Sequence, residues 1–413
     1  MKRPLPPLLL LILLGTAGAQ EWTRFHGPDG RGVSGAKESA FPATFGEKDW
    51  GWKKELPGSG ISSPVLWGSR LFLTCEGPES GERFVLALDA ATGKELWRVA
   101  DTFTVYGKHQ FNSFASSTPC VDADHVYLAW SSGGTMKVLA LTHEGKPAWN
   151  KDLGAYQEDH GSGASPVLAG GVLVVVKDHV GPDSFIAGLK PSDGSIVWKH
   201  ERQSTRTPFA TPSVIRRPDG AETVLLPGNP KALTCLNAAD GKLLWEVENP
   251  SPGDRPVASP VVAGNICYMS VGQGGIGKSC VAVDVTAAKP GIVWQVRKGI
   301  PYVPTAVGDG KLLYLLGDGG ILTCVKAEDG SVIYTERVFS DKAYSSPVLA
   351  GGKLYCVGRS GKVAVVQAGE TFKKLGGADL GEDTDSTPAI ANGRLFFRTR
   401  THLMCLPAEV ARP

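Results

Sequence analysis

Long apolar runs, charge of one sign and clustered cysteine are all scarce in this chain. After residue 14 no stretch reaches 18 apolar residues, so no transmembrane helix is expected. Lys and Arg total 43 against 41 Asp and Glu, a formal net charge of +2, and the basic residues form no block. That excludes the concentrated positive surface a nucleic-acid partner needs. The eight Cys include no adjacent pair, no Cys-x-x-Cys and no Cys/His cluster, which argues against a structural zinc site. Also missing is the Gly-x-Ser-x-Gly elbow of a serine hydrolase.

The one clear apolar run is at the N-terminus. Lys2 and Arg3 precede Leu8 to Leu14, and Ala17-Gly18-Ala19 follows as a cleavage site. Residues 1–19 therefore read as a signal peptide, with cleavage near Ala19 and a periplasmic or secreted mature chain. No Cys follows the run, so a lipid anchor is not expected.

Gly and Pro are plentiful, 52 and 29 of 413 residues, and they fall between short apolar runs, as in a protein built from many tight turns. Those runs belong to a repeat. It opens Ser63-Pro64, Thr118-Pro119, Ser165-Pro166, Thr211-Pro212, Ser259-Pro260, Pro304-Thr305, Ser346-Pro347 and Thr387-Pro388, with Thr305 read as replacing the sixth Pro. It closes on Trp97, Trp149, Trp198, Trp245, Trp294, Tyr334 and Leu375. The close usually follows a turn such as Asp89-Ala90-Ala91-Thr92-Gly93. Each unit reads as four strands, which is a propeller blade.

Eight openings and seven closes leave one fourth strand to be found. Trp50 to Leu56 reads like the end of a repeat. The expected fold is therefore all-β: an eight-bladed propeller over residues 49–413, closed by the N-terminal strand, after an extension at residues 20–48. Closure of this kind removes two exposed sheet edges. The Trp residues are expected to pack between blades. Seven Cys fall in second or third strands and Cys120 in a first strand, so mostly buried thiols are expected; one or more bridges is the alternative.

The Ala-x-Asp-x-x-Thr-Gly-x-x-x-Trp close resembles the quinoprotein-like repeat of pyrroloquinoline quinone (PQQ) dehydrogenases and of their non-catalytic, BamB-like branch. The segment Trp22 to Val33 is similar to the entry motif of exported members. The resemblance implies a propeller. For an enzyme it would also imply an adjacent-Cys ring, a Trp floor, a Ca²⁺ set and a catalytic Asp. The Cys pair and the long insertions are missing. Glu382-Asp383-Thr384-Asp385 is the remaining Ca²⁺ candidate and reads as a solvated turn.

Gly272-Gln273-Gly274-Gly275-Ile276-Gly277-Lys278-Ser279 satisfies the P-loop pattern, but it lies between two strand patterns and reads as a hairpin. His109 and His160 lack an evident third metal ligand. The loops entering first strands are expected to converge on a channel mouth. They carry His109, Asn112, His160, Arg206, Phe209, Arg255, Tyr302, Lys342, Tyr344 and Asp385 as candidate ligand-binding residues. The favoured function is an exported, non-catalytic scaffold or binding module for a protein or peptide, with no cofactor. The alternatives are a small-molecule or glycan ligand in the funnel and a PQQ/calcium dehydrogenase.

Overall fold

The computed structural model describes residues 21–34, 41–157, 160–204, 207–228, 231–251 and 253–408. The expected signal peptide lies outside the described residues. Eight four-stranded antiparallel sheets form the propeller. Blade 1 comprises Val65–Trp67, Arg70–Glu76, Glu82–Asp89 and Glu95–Thr102, and the next six repeat this order along the chain. Blade 8 takes Ala389–Ala391, Arg394–Arg398 and His402–Pro407 from the C-terminal region and its outer strand, Trp52–Glu55, from the N-terminal region. Trp52 faces Cys405 and Glu55 faces His402 across that closing pair.

Burial follows strand position. Middle strands are packed on both faces by neighbouring blades, so Leu312–Leu316 is buried throughout. Outer strands face a neighbour on one side and water on the other, so burial alternates along Glu95–Thr102. The closing Trp residues join neighbours, as expected. The indole N–H of Trp97 donates to His143 O (2.7 Å), that of Trp149 to Pro191 O (2.7 Å), and that of Trp198 to Ala238 O (2.9 Å), each in the next blade. Trp52 and Trp294 do the same to Ala90 and Ala327. The ring lies under the turn glycine of that blade. Gly93, at φ +69°, would place a Cβ 2.6 Å from Trp52, so the turn needs glycine for conformation and for space.

Two repeat assignments change. In blade 1 the outer strand carries a bulge, with Ala87 facing Trp97 and Leu88 facing Glu95. The same shift in blade 7 sets Val365 opposite Gly376 and Val366 opposite Lys374. The closing position is therefore Gly376, not Leu375. A Cβ on Gly376 would lie 2.2 Å from Thr44 Oγ1 and 2.5 Å from Ala43 O. The N-terminal extension fills the place of the missing Trp: Phe41 and Phe45 are buried, and Lys353 Nζ and Tyr355 OH donate to the Phe41 and Pro42 carbonyls. The reason is topological. Blade 8 is split between distant parts of the chain, so it has no third-to-fourth-strand turn for a blade 7 Trp to grip.

The second change concerns the sixth opening. Ser259 N–H donates to Thr305 Oγ1 (3.0 Å), and Thr305 N–H donates to Ser346 Oγ (2.9 Å). Thr305 thus matches the Ser or Thr of the other openings, and Ala306 stands where they have Pro. These bonds belong to a belt in which the N–H of each such residue donates to the hydroxyl of the next blade, from Ser63 to Thr118 (2.9 Å) round to Ser346 to Thr387 (3.0 Å). At the eighth seam the buried Arg398 guanidinium and Ser386 Oγ both donate to Ser62 O (2.7 and 3.1 Å).

All eight Cys are free and buried. Burial raises their thiols, Cys120 and Cys356 to about 12. Ellman's reagent is therefore expected to find almost no reactive thiol in the folded protein and eight after unfolding. A thiol that reacts fast in the folded state would contradict this packing.

Candidate functional site

The two ends of the ring differ. One end carries the hairpins between first and second strands and the turns before the closing Trp. The other, the mouth, carries the second-to-third-strand hairpins and the connections entering each next blade. The N-terminal segment closes the first end. Glu21 accepts from Gly68 N–H, Trp22 exchanges backbone bonds with Leu66 of blade 1, and Thr23 O accepts from Val121 N–H of blade 2. Arg24 Nη1 donates to Pro212 O (3.1 Å) of blade 4. His26 Nε2 bonds Pro347 O (2.9 Å), and Gly32 and Ser34 pair with Leu349, all in blade 7. A short segment anchored to four blades is a plug. Its Phe25 forms the floor of the space above.

That space is a cavity of about 710 Å³, within the range of small-ligand pockets. His109, Asn112, His160, Phe209, Arg255, Tyr302, Lys342, Tyr344 and Asp385 all line it. The ring brings together candidates far apart in sequence; Arg206 lies outside the described residues. The hydroxyl belt lines it too.

Several candidates are already occupied. Asn112 donates its amide to His160 O (2.7 Å) and Ser162 O (3.1 Å), and so staples two connections together. Asp385 accepts from Arg359 Nε (2.8 Å) and Arg400 Nη2 (2.6 Å). Burial raises its carboxyl, and the two guanidinium groups oppose that shift. Glu382 accepts from Thr401 Oγ1 (2.8 Å) and from the Thr399 hydroxyl. Two of the three carboxylates considered for Ca²⁺, Glu382 and Asp385, are thus engaged by protein donors, and among the described residues no group of three or more His, Cys, Asp or Glu could hold a metal. These residues do not fit a quinone–calcium centre. The P-loop-like stretch is a hairpin, Ile266–Gln273 against Ile276–Asp284, with no helix N-terminus for a phosphate.

Other candidates present rings or cations to the cavity. The His109 and His160 rings are stacked, 5.5 Å apart and parallel to within 4°. His109 Nδ1 accepts from Phe111 N–H (3.3 Å). Desolvation, then the neighbouring imidazole, holds His109 below the usual imidazole range. Phe111, midway along the connection from blade 1 to blade 2, reaches Tyr344 (5.8 Å), on the connection entering blade 7. Arg255 lies 5.3 Å from the Phe209 ring centre, and its Nε is buried without a partner. Neither Arg255 nor Lys342 has an ion-pair partner among the described residues.

Sequence reading missed Phe25, Asp318 and Arg359. Phe25 was visible only as part of the entry motif. Asp318 and Arg359 sit in second-to-third-strand hairpins, which also reach the mouth. Asp318 accepts from Tyr302 N–H (2.6 Å) and Val303 N–H (3.2 Å), while burial pushes it up to about 6.

Comparison with known proteins agrees with this architecture. Residues 81–297 and 281–375 match the family model described as outer membrane protein assembly factor BamB. The BamB of Yersinia pestis is 22% identical over 284 residues, 65% of this chain and 66% of that protein, just under two thirds of its length. The BamB structure from Moraxella catarrhalis superposes with a TM-score of 0.63 at 15% identity, over 86% of this chain and 95% of that one. A europium-containing methanol dehydrogenase superposes with a TM-score of 0.52 at 13% identity, over 84% and 89%. At such identities the two structural likenesses show the shared fold alone.

Proposed function

The chain belongs to the family described as outer membrane protein assembly factor BamB, and on that premise we propose that it is an exported, non-catalytic scaffold. It holds a protein partner at its channel-mouth face, in the assembly of outer-membrane proteins. The observation that carries this reading is the contrast between the ends. One end is filled by the chain's own plug. The mouth combines connections from different blades into one surface with aromatic rings and two cations, Arg255 and Lys342, that have no ion-pair partner among the described residues. Supporting it further, the mouth carboxylates Asp385 and Glu382 are bound to protein donors rather than poised for proton transfer. Among the described residues no helix is long and apolar enough to cross a membrane. Placement in the periplasm or outside the cell belongs to the same proposal.

Site-specific photo-crosslinking in the native host tests it. A photo-reactive residue at Phe111 or Lys342 is expected to capture one discrete protein. The same group at Lys242, on the plugged end, is expected to capture none. Equal capture from both ends, or none at the mouth, would refute the assignment.

A further inference from the structure

Five rings lining the funnel make a continuous series of contacts, which crosses from the connection into blade 7 to those into blades 2, 3 and 4. Tyr344 is 5.8 Å from Phe111, Phe111 is 5.2 Å from His109, His109 is 5.5 Å from His160, and His160 is 6.1 Å from Phe209. They come from four connections between blades and all line the cavity. A guanidinium stands at each end of the arc: Arg359 lies 4.1 Å from the Phe111 ring centre, and Arg255 lies 5.3 Å from that of Phe209.

The lining carries two cations, Arg255 and Lys342, and two carboxylates, Asp318 and Asp385, and both carboxylates are held by protein donors. Arg359 is shared with Arg400 on a single carboxylate, Asp385. Asp318 is held by two backbone N–H groups. Arg255 has a buried, unpartnered Nε, and the exposed Lys342 ammonium stands 5.7 Å from the Phe111 ring centre. An unpaired guanidinium over an aromatic face suits a carboxylate that arrives with its own ring.

The shape narrows the ligand further. The arc runs past five rings, more than one small ring can cover. Alternate side chains of an extended segment recur about every 6.5–7 Å, close to the spacing of the arc. Because Phe25 closes the floor, nothing threads through; the occupant enters and leaves by the mouth. A neutral sugar would call on amide and carbonyl groups, and the amide of Asn112 is already spent on His160 and Ser162.

We propose that the funnel receives the tip of an acidic, aromatic peptide segment of a partner protein, its carboxylates on Arg255 and Lys342 and its rings against the Phe111–His109–His160–Phe209 arc. The proposal rests on the scaffold reading and specifies its partner.

The test uses the full mature chain and a fluorescein-labelled peptide, Asp-Phe-Asp-Phe-Glu, with blocked termini, followed by fluorescence polarisation. One saturable site per chain is expected. R255Q and the neutral peptide Asn-Phe-Asn-Phe-Gln are each expected to weaken binding about tenfold, the scale of one charge-assisted hydrogen bond. K342Q should weaken it less, and K242Q, on the plugged end, should leave it unchanged. Added salt should weaken the acidic peptide and not the neutral one. Circular dichroism checks that R255Q is folded; F209A is the second variant if it is not. Equal affinity for the neutral peptide, indifference to R255Q or F209A, or equally tight binding of N-acetylphenylalanine overturns the proposal. If the peptide fails while mouth crosslinks persist, only this inference falls. If both fail, the scaffold reading falls with it.

Discussion

Replacing Trp22 with alanine is expected to lower the free energy of unfolding by about 3–5 kcal/mol, the usual cost of deleting a buried aromatic side chain. Trp22 is fully buried, in one apolar cluster with Leu66 of blade 1 and Phe396 and Phe397 of blade 8. Its backbone adds two bonds to Leu66, 3.2 and 2.9 Å long. The plug has other anchors at Arg24, His26 and Gly32, so the ring is expected to fold without Trp22, but less stably. Because Phe25 lies three residues further on and floors the cavity, W22A should also weaken peptide binding at the mouth. Urea unfolding measures the first effect and polarisation the second. A stability loss below about 1 kcal/mol would mean that the plug decorates the propeller rather than closing it.

Asp318→Asn is expected to stabilise the protein at pH 7.5 and to do little at pH 4. Burial raises this carboxyl from 3.8 to about 6 despite two backbone N–H bonds. The folded state therefore holds a proton that the unfolded chain has released between about pH 4 and 6. Stability from this residue is fullest below pH 4 and declines as pH rises through 6. The full difference corresponds to about 3 kcal/mol at 1.36 kcal/mol per unit. Asparagine is neutral at both values and keeps an acceptor for Tyr302 N–H, so a gain of about 1–3 kcal/mol is expected at pH 7.5. Urea titrations at the two pH values decide the matter. Equal losses at both would show that the carboxylate is needed as a double acceptor and that its charge costs little.

The two effects separate what was readable in the chain from what was not. Strands, turns and their order could be read because each depends on neighbours within about ten residues. Alternation along Glu95–Thr102, the Asp89-to-Gly93 turn and Trp97 all lie in one short segment. The count of openings and closes even located the closing strand, Trp52–Glu55, beside His402–Pro407. Local reading failed where a position is defined by a distant partner. Leu375 looked like the closing residue until the bulge opposite Val365 and Val366 put Gly376 there. Nothing near Gly376 announces that Ala43 and Thr44 fill its missing side chain. The belt through Thr305 is equally hidden, because each bond spans a whole blade.

The sequence alone therefore determined the blades, their number and the closure of the ring, since hydrophobic alternation and turn chemistry act over short stretches. Tertiary structure alone decided which end is plugged, what floors the funnel and which rings meet there. Phe111 and Tyr344 are 233 residues apart in the chain yet 5.8 Å apart in space. A local pattern carries no trace of such a contact. It exists only once eight sheets have been forced into a circle.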